Sequence, residues 1–581
     1  MKSKFSKFKK IWFVDCEFQH FNSDKVIPIC LVAHELNSNK TIRLWKNEFS
    51  DLPPFSIDKD SLFVSYFSSA ELSCHLALDW PFPMNILDLY VEFRNRTNGK
   101  ETGTGNSLLG ALSFFGIPAM DTAEKDSMRT LILGQKEWNL KEQEDILKYC
   151  EQDVLALRSL FCMMEEGIDL ERSLLRGEYM KSVAKIEHHG IPIDAASLEF
   201  IRKHSSEIQN ALIDKVDPDR MIFEGTVFKE SGFRKFLHLL EISWPETPTG
   251  KLKLNDETFK SLCETHPRLN PIRQLRQSLS QLRGNNLSFG EDGRSRFMLS
   301  PFKSKTSRNQ PSNSKFIFGF AKWFRFLITP AKGKALAYID WSQQEFGIAA
   351  ALSKDAAMIR AYESGDPYLA FAKQAKAVPE SATKETHEQE RNLFKSCALA
   401  VQYGMGANGL SAKIGKTKSE ARALIDLHKK TYPVFWNWSD KCTHYAMQMN
   451  TLNTVFGWNL AITGEMSTPS LKNFPMQSNG AEMLRLATIF AHEMGVDICA
   501  LVHDAILIEA PIEHINEHIS VAQEAMARAS ELVLDGFRLQ SDVKIVRFPD
   551  RFHEKSGEAF WHTVQECLKY FTHPESNQHP T

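Results

Sequence analysis

Two aspartates, remote from each other along the chain, stand where a lone charge is expensive. Residues 335–339 (ALAYI) read as a buried strand that delivers Asp340 at its exit, just ahead of a helical segment starting near Gln343. Residues 498–502 and 505–508 are two further apolar runs joined by His503-Asp504, the pattern of a β-hairpin with the polar pair at its tip. A buried carboxylate without a partner or a metal costs on the order of several kcal/mol. Read alone, Asp340 serves equally well as a cap for the helix that follows. Read with Asp504, it becomes half of a pair of hard oxygen ligands for Mg²⁺. Two such ions about 3.5–4 Å apart stabilise the attacking and the leaving oxygen of a phosphoryl transfer.

A second acidic set lies near the start. Residues 11–14 read as a strand, and alternate residues of an extended chain point the same way, so Asp15 and Glu17 face one metal together. Tyr149 and Asp153 are four apart and share a helical face. Cations follow between the two sets. Arg391, Lys395, Leu399 and Tyr403 recur every four residues along one side of a helix, which suits a nucleotide's β- and γ-phosphates. Residues 300–315 are polar and basic, and Lys303, Lys305, Arg308 and Lys315 either neutralise phosphates or form a solvated loop.

The elements that must position these residues belong to a chain of 581, enough for roughly three or four domain-sized units. The net charge of −2 excludes a uniformly basic coat, so a nucleic-acid surface has to be local. Ten scattered cysteines form no C-x-x-C pair and no Cys/His cluster at zinc spacing, and the start lacks a secretory core, so a reduced, cytoplasmic protein is expected. The basic first ten residues read as a solvated tail, and no apolar run reaches about 18 residues, the length that would span a membrane. Residues after about 545 read as irregular, ending in a frayed tail over 571–580.

Three ordered motifs carry a family resemblance. Asp340-Trp341-Ser342-Gln343-Gln344-Glu345 resembles the D-Y-S-Q-x-E signature of family A, DNA polymerase I-like enzymes; Arg391-x3-Lys395-x7-Tyr403-Gly404 resembles their fingers helix; Val502-His503-Asp504 resembles their V-H-D. Asp15-x-Glu17 and Tyr149-x3-Asp153 are similar to the motifs of DEDD-type 3′–5′ exonucleases. The remaining exonuclease carboxylate falls on Glu71, with Asp88 as its competitor. The resemblance implies an α/β multidomain chain, an RNase H-like exonuclease domain followed by a right-hand polymerase. Its parts are the exonuclease at 1–170, helical thumb and start of the polymerase part at 171–300, palm at 301–355 and 440–581, and fingers at 356–439.

The same resemblance implies roles. Asp340 and Asp504, with the Trp341 carbonyl, hold two Mg²⁺ ions, and Asp15, Glu17, Glu71 and Asp153 hold two more, with Mn²⁺ as a substitute. Tyr149 orients the attacking water. Glu345 excludes a 2′-hydroxyl, Tyr403 stacks near the templating base, Gly404 lets the duplex approach, Arg308 and Gln477 reach the minor groove, and His503 supports the primer end. Partners would be primer-template DNA, deoxynucleoside triphosphates and a replicative helicase or primase. With no room for a 5′-nuclease, the arrangement looks most like the bacteriophage branch. Four positions depart from the family: Leu399 for an aromatic residue, Tyr368 for a phosphate-contacting His, Pro469 for an Arg, and Ala505 for a third acid. They point to phage relatives whose genomes carry 2-aminoadenine. Two rivals share some motifs: a single-subunit RNA polymerase, which Glu345 and the nuclease acids oppose, and a non-catalytic nucleic-acid binder, which the intact acids oppose.

Overall fold

The first apolar run becomes a central strand because both of its faces are covered. In the computed structural model, which describes residues 4–20, 24–118, 122–284, 286–464 and 466–572, β1 (Lys10–Gln19) sends Trp12, Val14 and Cys16 into one core and Ile11 and Phe13 into another. It is flanked by β2 (Ile27–Glu35) and β3 (Thr41–Trp45) on one side, and by β4 (Ser61–Ser65) and β5 (Ile86–Asp88) on the other. The order is β3-β2-β1-β4-β5, antiparallel up to β1 and parallel beyond it. Helices α1 (Ser69–Ala77), α2 (Leu89–Thr97), α3 (Leu108–Phe114), α4 (Thr122–Gly134) and α5 (Leu140–Met164) surround this sheet. The long α5 starts in a capping box between Asn139 and Glu142 and buries Tyr149, Asp153, Leu157 and Leu160 along its sheet-facing side.

Helix α6 (Leu170–His189) links the two halves, packing on α1 and β5 and also on the later sheet. Its Arg176 makes a buried two-pronged ion pair with Glu92 of α2, at 2.7 and 2.8 Å. Gly190 ends it at φ +70°, and the short pair β6 (Ile191–Pro192) and β9 (Arg294–Ser295) closes a helical region. That region holds α7 (Ala195–Lys203), α8 (Ser205–Val216), the hairpin β7 (Phe223–Glu224) and β8 (Val227–Phe228), α9 (Glu230–Leu239), α10 (Asp256–Thr265) and α11 (Asn270–Gly284).

The second sheet is antiparallel and has the order β13-β14-β10-β15. Its strands are β10 (Lys334–Trp341), β13 (Asp497–Val502), β14 (Ala505–Pro511) and β15 (Ser541–Arg547). Between β10 and β13 run α12 (Gln344–Ser353), α13 (Ala356–Glu363), α14 (Pro367–Gln374), α15 (Glu388–Gln402), α16 (Ala407–Ile414), α17 (Lys418–Thr431), α18 (Pro433–Met449), the hairpin β11 (Thr451–Asn453) and β12 (Asn459–Ala461), and α19 (Thr468–Glu493). Helix α20 (Ile515–Val533) packs beneath β10 and along α19.

The chain after 545 is ordered, contrary to the sequence reading. β15 runs to Arg547, and α21 (Glu558–Thr572) packs on α8 through an apolar stripe in which Phe560, Trp561 and Val564 are buried. Residues 573–580 of the expected tail lie outside the described residues.

The two sheet-bearing halves are clasped together. Arg94 of α2 donates to the Lys303 carbonyl at 2.8 Å, and Asn98 donates to the carbonyls of Lys305 and Asn459, each at 2.8 Å. Asn95 exchanges hydrogen bonds with the backbone of the β11–β12 hairpin, accepting from the Asn459 amide at 2.7 Å. Next to them Gly99, at φ +86°, lies so close that a Cβ there would meet the Ala461 carbonyl oxygen at 2.0 Å.

Candidate active sites

The register of the second sheet brings its two aspartates together. Asp340 pairs with Ala505, so Asp504, in the turn just before it, comes within hydrogen-bonding reach of the Asp340 carboxyl. Burial, and then the facing Asp504, push Asp340 up to about 7. Asp504 is raised too, chiefly by burial, with Arg308 pulling the other way. Asp340 does not cap the helix: α12 has Gln343 at its N-cap, at φ +47°, and takes no side-chain cap. The Asp340 Oδ1 atom is buried with no hydrogen-bond partner.

Asp542 is a third acid that the sequence reading missed. It lies directly opposite Asp340 on β15, and residues opposed in an antiparallel pair point to the same side of the sheet. Ser342 Oγ donates to it at 2.7 Å. The available signal is the alternation in residues 541–545, an edge-strand pattern.

Around these acids the sequence-chosen residues fall as follows. Glu345, in the first turn of α12, accepts from the Tyr403 hydroxyl at 3.0 Å and has Arg308 at 3.8 Å; burial raises its pKa. Arg308 is positioned by its neighbour, because Arg485 donates to the Ser307 carbonyl at 2.9 Å and hydroxyl at 3.0 Å. Tyr368 is buried beneath Arg391 and Lys395, each 5.6 Å from its ring centre. Arg391 also ion-pairs with Asp366, the N-cap of α14, which holds this cation in place. Leu399 is half-buried on α15, and Tyr403 is that helix's C-cap. His503 takes φ +58° in the hairpin turn, and burial lowers its basicity. Trp341 is a buried end residue of β10, and Gln477 is half-buried on α19 beyond the internal Pro475. Gly404, at φ +67°, has Pro469 against it, whose Cα lies 2.6 Å from where a Cβ on Gly404 would stand.

At the first sheet, Asp15 and Glu17 sit on the same face of β1, beneath α5. Burial and then Asp153 push Asp15 up to about 7, while Cys150 Sγ donates to its Oδ2 at 3.2 Å. Burial and then Asp15 raise both Glu17 and Glu71 well above the usual carboxylate range. Glu71 is 3% exposed and its Oε2 has no hydrogen-bond partner. Asp88 is committed elsewhere: it accepts from the amides of Phe67, Ser68, Tyr90 and Val91 at 2.7–3.3 Å, capping α2. Even so, burial pushes it up to about 6. The geometry thus sets Glu71, and not Asp88, free beside Asp15. Tyr149 and Asp153 are both buried on α5, and burial raises the Tyr149 pKa.

Both clusters offer donors suited to divalent cations, although among the described residues neither brings three ligand atoms within 4.8 Å of one another. Their donors are all oxygens, they hold more acids than nearby bases, and each contains a buried carboxylate oxygen without a partner. A third cluster does not fit. His189, Cys499 and Glu509 converge within 4.8 Å, but Glu509 already pairs with Arg294 at 3.1 Å and Lys334 at 3.2 Å, and its hydrogen bond with His189, helped by these two cations, holds its pKa down to about 2 against burial.

Comparison with known proteins bears on the second sheet. Residues 319–547 match the model of DNA polymerase family A. The chain is 24% identical to DNA polymerase I of Aquifex aeolicus (strain VF5) over 438 residues, 67% of this chain and 73% of that protein. It is 26% identical to the thermostable DNA polymerase I of Thermus aquaticus over 50% of this chain, spanning 36% of that relative. With the DNA polymerase of Mycobacterium phage D29 it shares 30% identity over 36% of this chain and 34% of that one. Among solved structures, the POL domain of Pol1 from M. smegmatis, in complex with DNA primer-template and dNTP, superimposes with a TM-score of 0.69 at 17% identity, covering 94% of this chain and 96% of that one, a likeness of fold. The stretch that matches the family A model, residues 319–547, is the one that holds Asp340, Asp504 and Asp542 together.

Proposed function

We infer that this chain is a template-directed DNA polymerase with a 3′–5′ proofreading exonuclease in its first 170 residues. The observation that carries the reading is the meeting of Asp340 and Asp504 at one end of the two central strands of the second sheet, inside the family A match. When bound, Mg²⁺ would make an oxygen nucleophile of a primer 3′-hydroxyl or of water and would neutralise charge gathering on the phosphate. The protein's part is to hold the reacting groups in place. Asp340, Asp504 and the Trp341 carbonyl supply the oxygens. Arg391 and Lys395 meet the triphosphate from α15, with Tyr368 fixing both side chains. Glu345, tied to Tyr403, narrows the space beside the sugar's 2′ carbon and so favours deoxynucleotides. Arg308, Gln477 and His503 attend the primer-template, and a helicase or primase would feed it.

Support for the exonuclease is the convergence of Asp15, Glu17, Glu71 and Asp153, with Tyr149 beside them, on a five-stranded sheet of order β3-β2-β1-β4-β5. The reading extends to phage origin and to 2-aminoadenine as a favoured base, carried by Leu399, Tyr368, Pro469 and Ala505. Competing incorporation of 2-aminoadenine and adenine nucleotides opposite thymine tests the base preference, and equal efficiency removes it. Primer extension and strand decay by the purified chain with Mg²⁺ test the whole. Extension with ribonucleotides as readily as deoxynucleotides would favour an RNA polymerase, and neither reaction would leave a non-catalytic binder.

A further inference from the structure

A cation already stands among the acids of the first sheet. Lys125 Nζ lies 2.7 Å from Asp153 Oδ2 and 5.6 Å from the centre of the Tyr149 ring. Its side chain is only 28% exposed, so it turns inward, although it belongs to the first turn of α4, where the helix dipole disfavours a positive charge. A surface ion pair is worth little and does not hold a lysine inward by itself. The position of α4 is set by the strand that carries the acids. Gln19, at the end of β1, donates to the carbonyls of Ile132 and Gln135 at the far end of α4, the latter at 2.7 Å. The cationic character continues outward: Arg129, one turn along α4, and Lys315 both act on His20, just past the end of β1. A strand reaching the acids would therefore pass along positive charge.

We propose that Lys125 is a phosphate-binding residue of the nuclease site, which leaves Asp153 to contact the scissile phosphate of a bound single strand. The inference rests on the exonuclease reading above. Hydrolysis there joins a water oxygen to phosphorus and breaks the bond to the 3′-oxygen of the penultimate nucleotide. That oxygen takes up a proton as the 5′-mononucleotide departs. Lys125 keeps its own protons throughout; it lends a compact positive charge to the phosphate oxygens as negative charge gathers on them.

The test uses the full chain and a 5′-labelled oligothymidylate. Lys125→Ala lowers kcat/KM for strand degradation about tenfold, as loss of one charge-assisted contact implies, and Lys125→Arg recovers most of it. Binding of the same strand, measured in the non-cleaving Asp15→Ala, Glu17→Ala background, loses about 0.7 from its logarithmic salt slope when Lys125→Ala is added. Primer extension by each variant reports that the chain is folded. A lysine that only neutralises Asp153 leaves the salt slope unchanged, and that result overturns the proposal. If the unmutated chain degrades no strand, or Asp15→Ala, Glu17→Ala degrades it as well as before, the exonuclease reading falls and this inference falls with it.

Discussion

The two carboxylate clusters solve the same electrostatic problem in opposite ways. At the first sheet, Glu71 and Asp153 are buried, Asp15 and Glu17 are half-buried, and the protein brings a cation of its own, Lys125, to 2.7 Å from Asp153. At the second, neither Asp340 nor Asp504 is fully buried, Asp542 is exposed, and the nearest cation, Arg308, is shared with Glu345 at 3.8 Å. A closed cluster needs internal balance, because an unpaired buried charge is costly. An open one leaves the balance to whatever docks there, and a nucleoside triphosphate with its ions is suited to supply it.

The strongest way to break this comparison is to disable one cluster and watch the other. Asp340→Asn is expected to cut primer extension about a thousandfold or more, on the order of 4 kcal/mol of lost transition-state stabilisation, while strand degradation stays within about twofold. Asp15→Ala with Glu17→Ala is expected to do the reverse in the same gel assay. Loss of both reactions from either change would show that the clusters are not separate sites.

Next in size, Glu345→Ala removes the acid that Tyr403 and Arg308 share. Discrimination against ribonucleotides should drop about a hundredfold in single-nucleotide incorporation, with little loss of deoxynucleotide rate. Unchanged discrimination would take the 2′ role away from Glu345.

The open cluster should also be visible in stability. Asp340 binds its proton more tightly when folded, at about 7, than in an unfolded chain, near 3.8. Its contribution therefore favours folding below about pH 4 and is lost as pH rises through about 7. Asp340→Asn should accordingly stabilise the metal-free protein at pH 8 by about 1–2 kcal/mol, and add nothing at pH 4, in thermal melts. An equal gain at both pH values would trace the effect to packing. The smallest effect belongs to the link between the halves: Asn98→Ala should cost about 1–2 kcal/mol and speed hydrogen exchange in the β11–β12 hairpin, with exchange on β1 unaltered.

What the sequence made legible follows from range. Asp340 and Asp504 announce themselves locally, as acids at the ends of apolar runs, and Asp15 with Glu17 does so through strand alternation. The sequence favours Glu71 with Asp88 as its competitor, and that Asp88 is spent on four amides shows only in the folded loop. Asp542 depends on the register of β15 with β10, a pairing between residues some two hundred apart. Lys125 looks like any helical lysine until α4 is laid against β1. Helix α21 is legible through the spacing of Phe560, Trp561 and Val564.

The clasp between the halves recognises where the later chain runs, and almost nothing about which side chains it carries. Arg94, Asn95 and Asn98 address main-chain atoms of Lys303, Lys305, Gly457 and Asn459. Substitution at Lys303, Lys305 or Asn459 therefore leaves the grip intact so long as the local trace is kept, whereas exchange of Asn95, Asn98 or Gly99 weakens it, and Gly457, at φ +77° against Arg172, is restricted by its own backbone. Mutational drift on the two banks of this seam should be lopsided: wider at Lys303, Lys305 and Asn459 on the far bank than at Asn95, Asn98 and Gly99 on the near one.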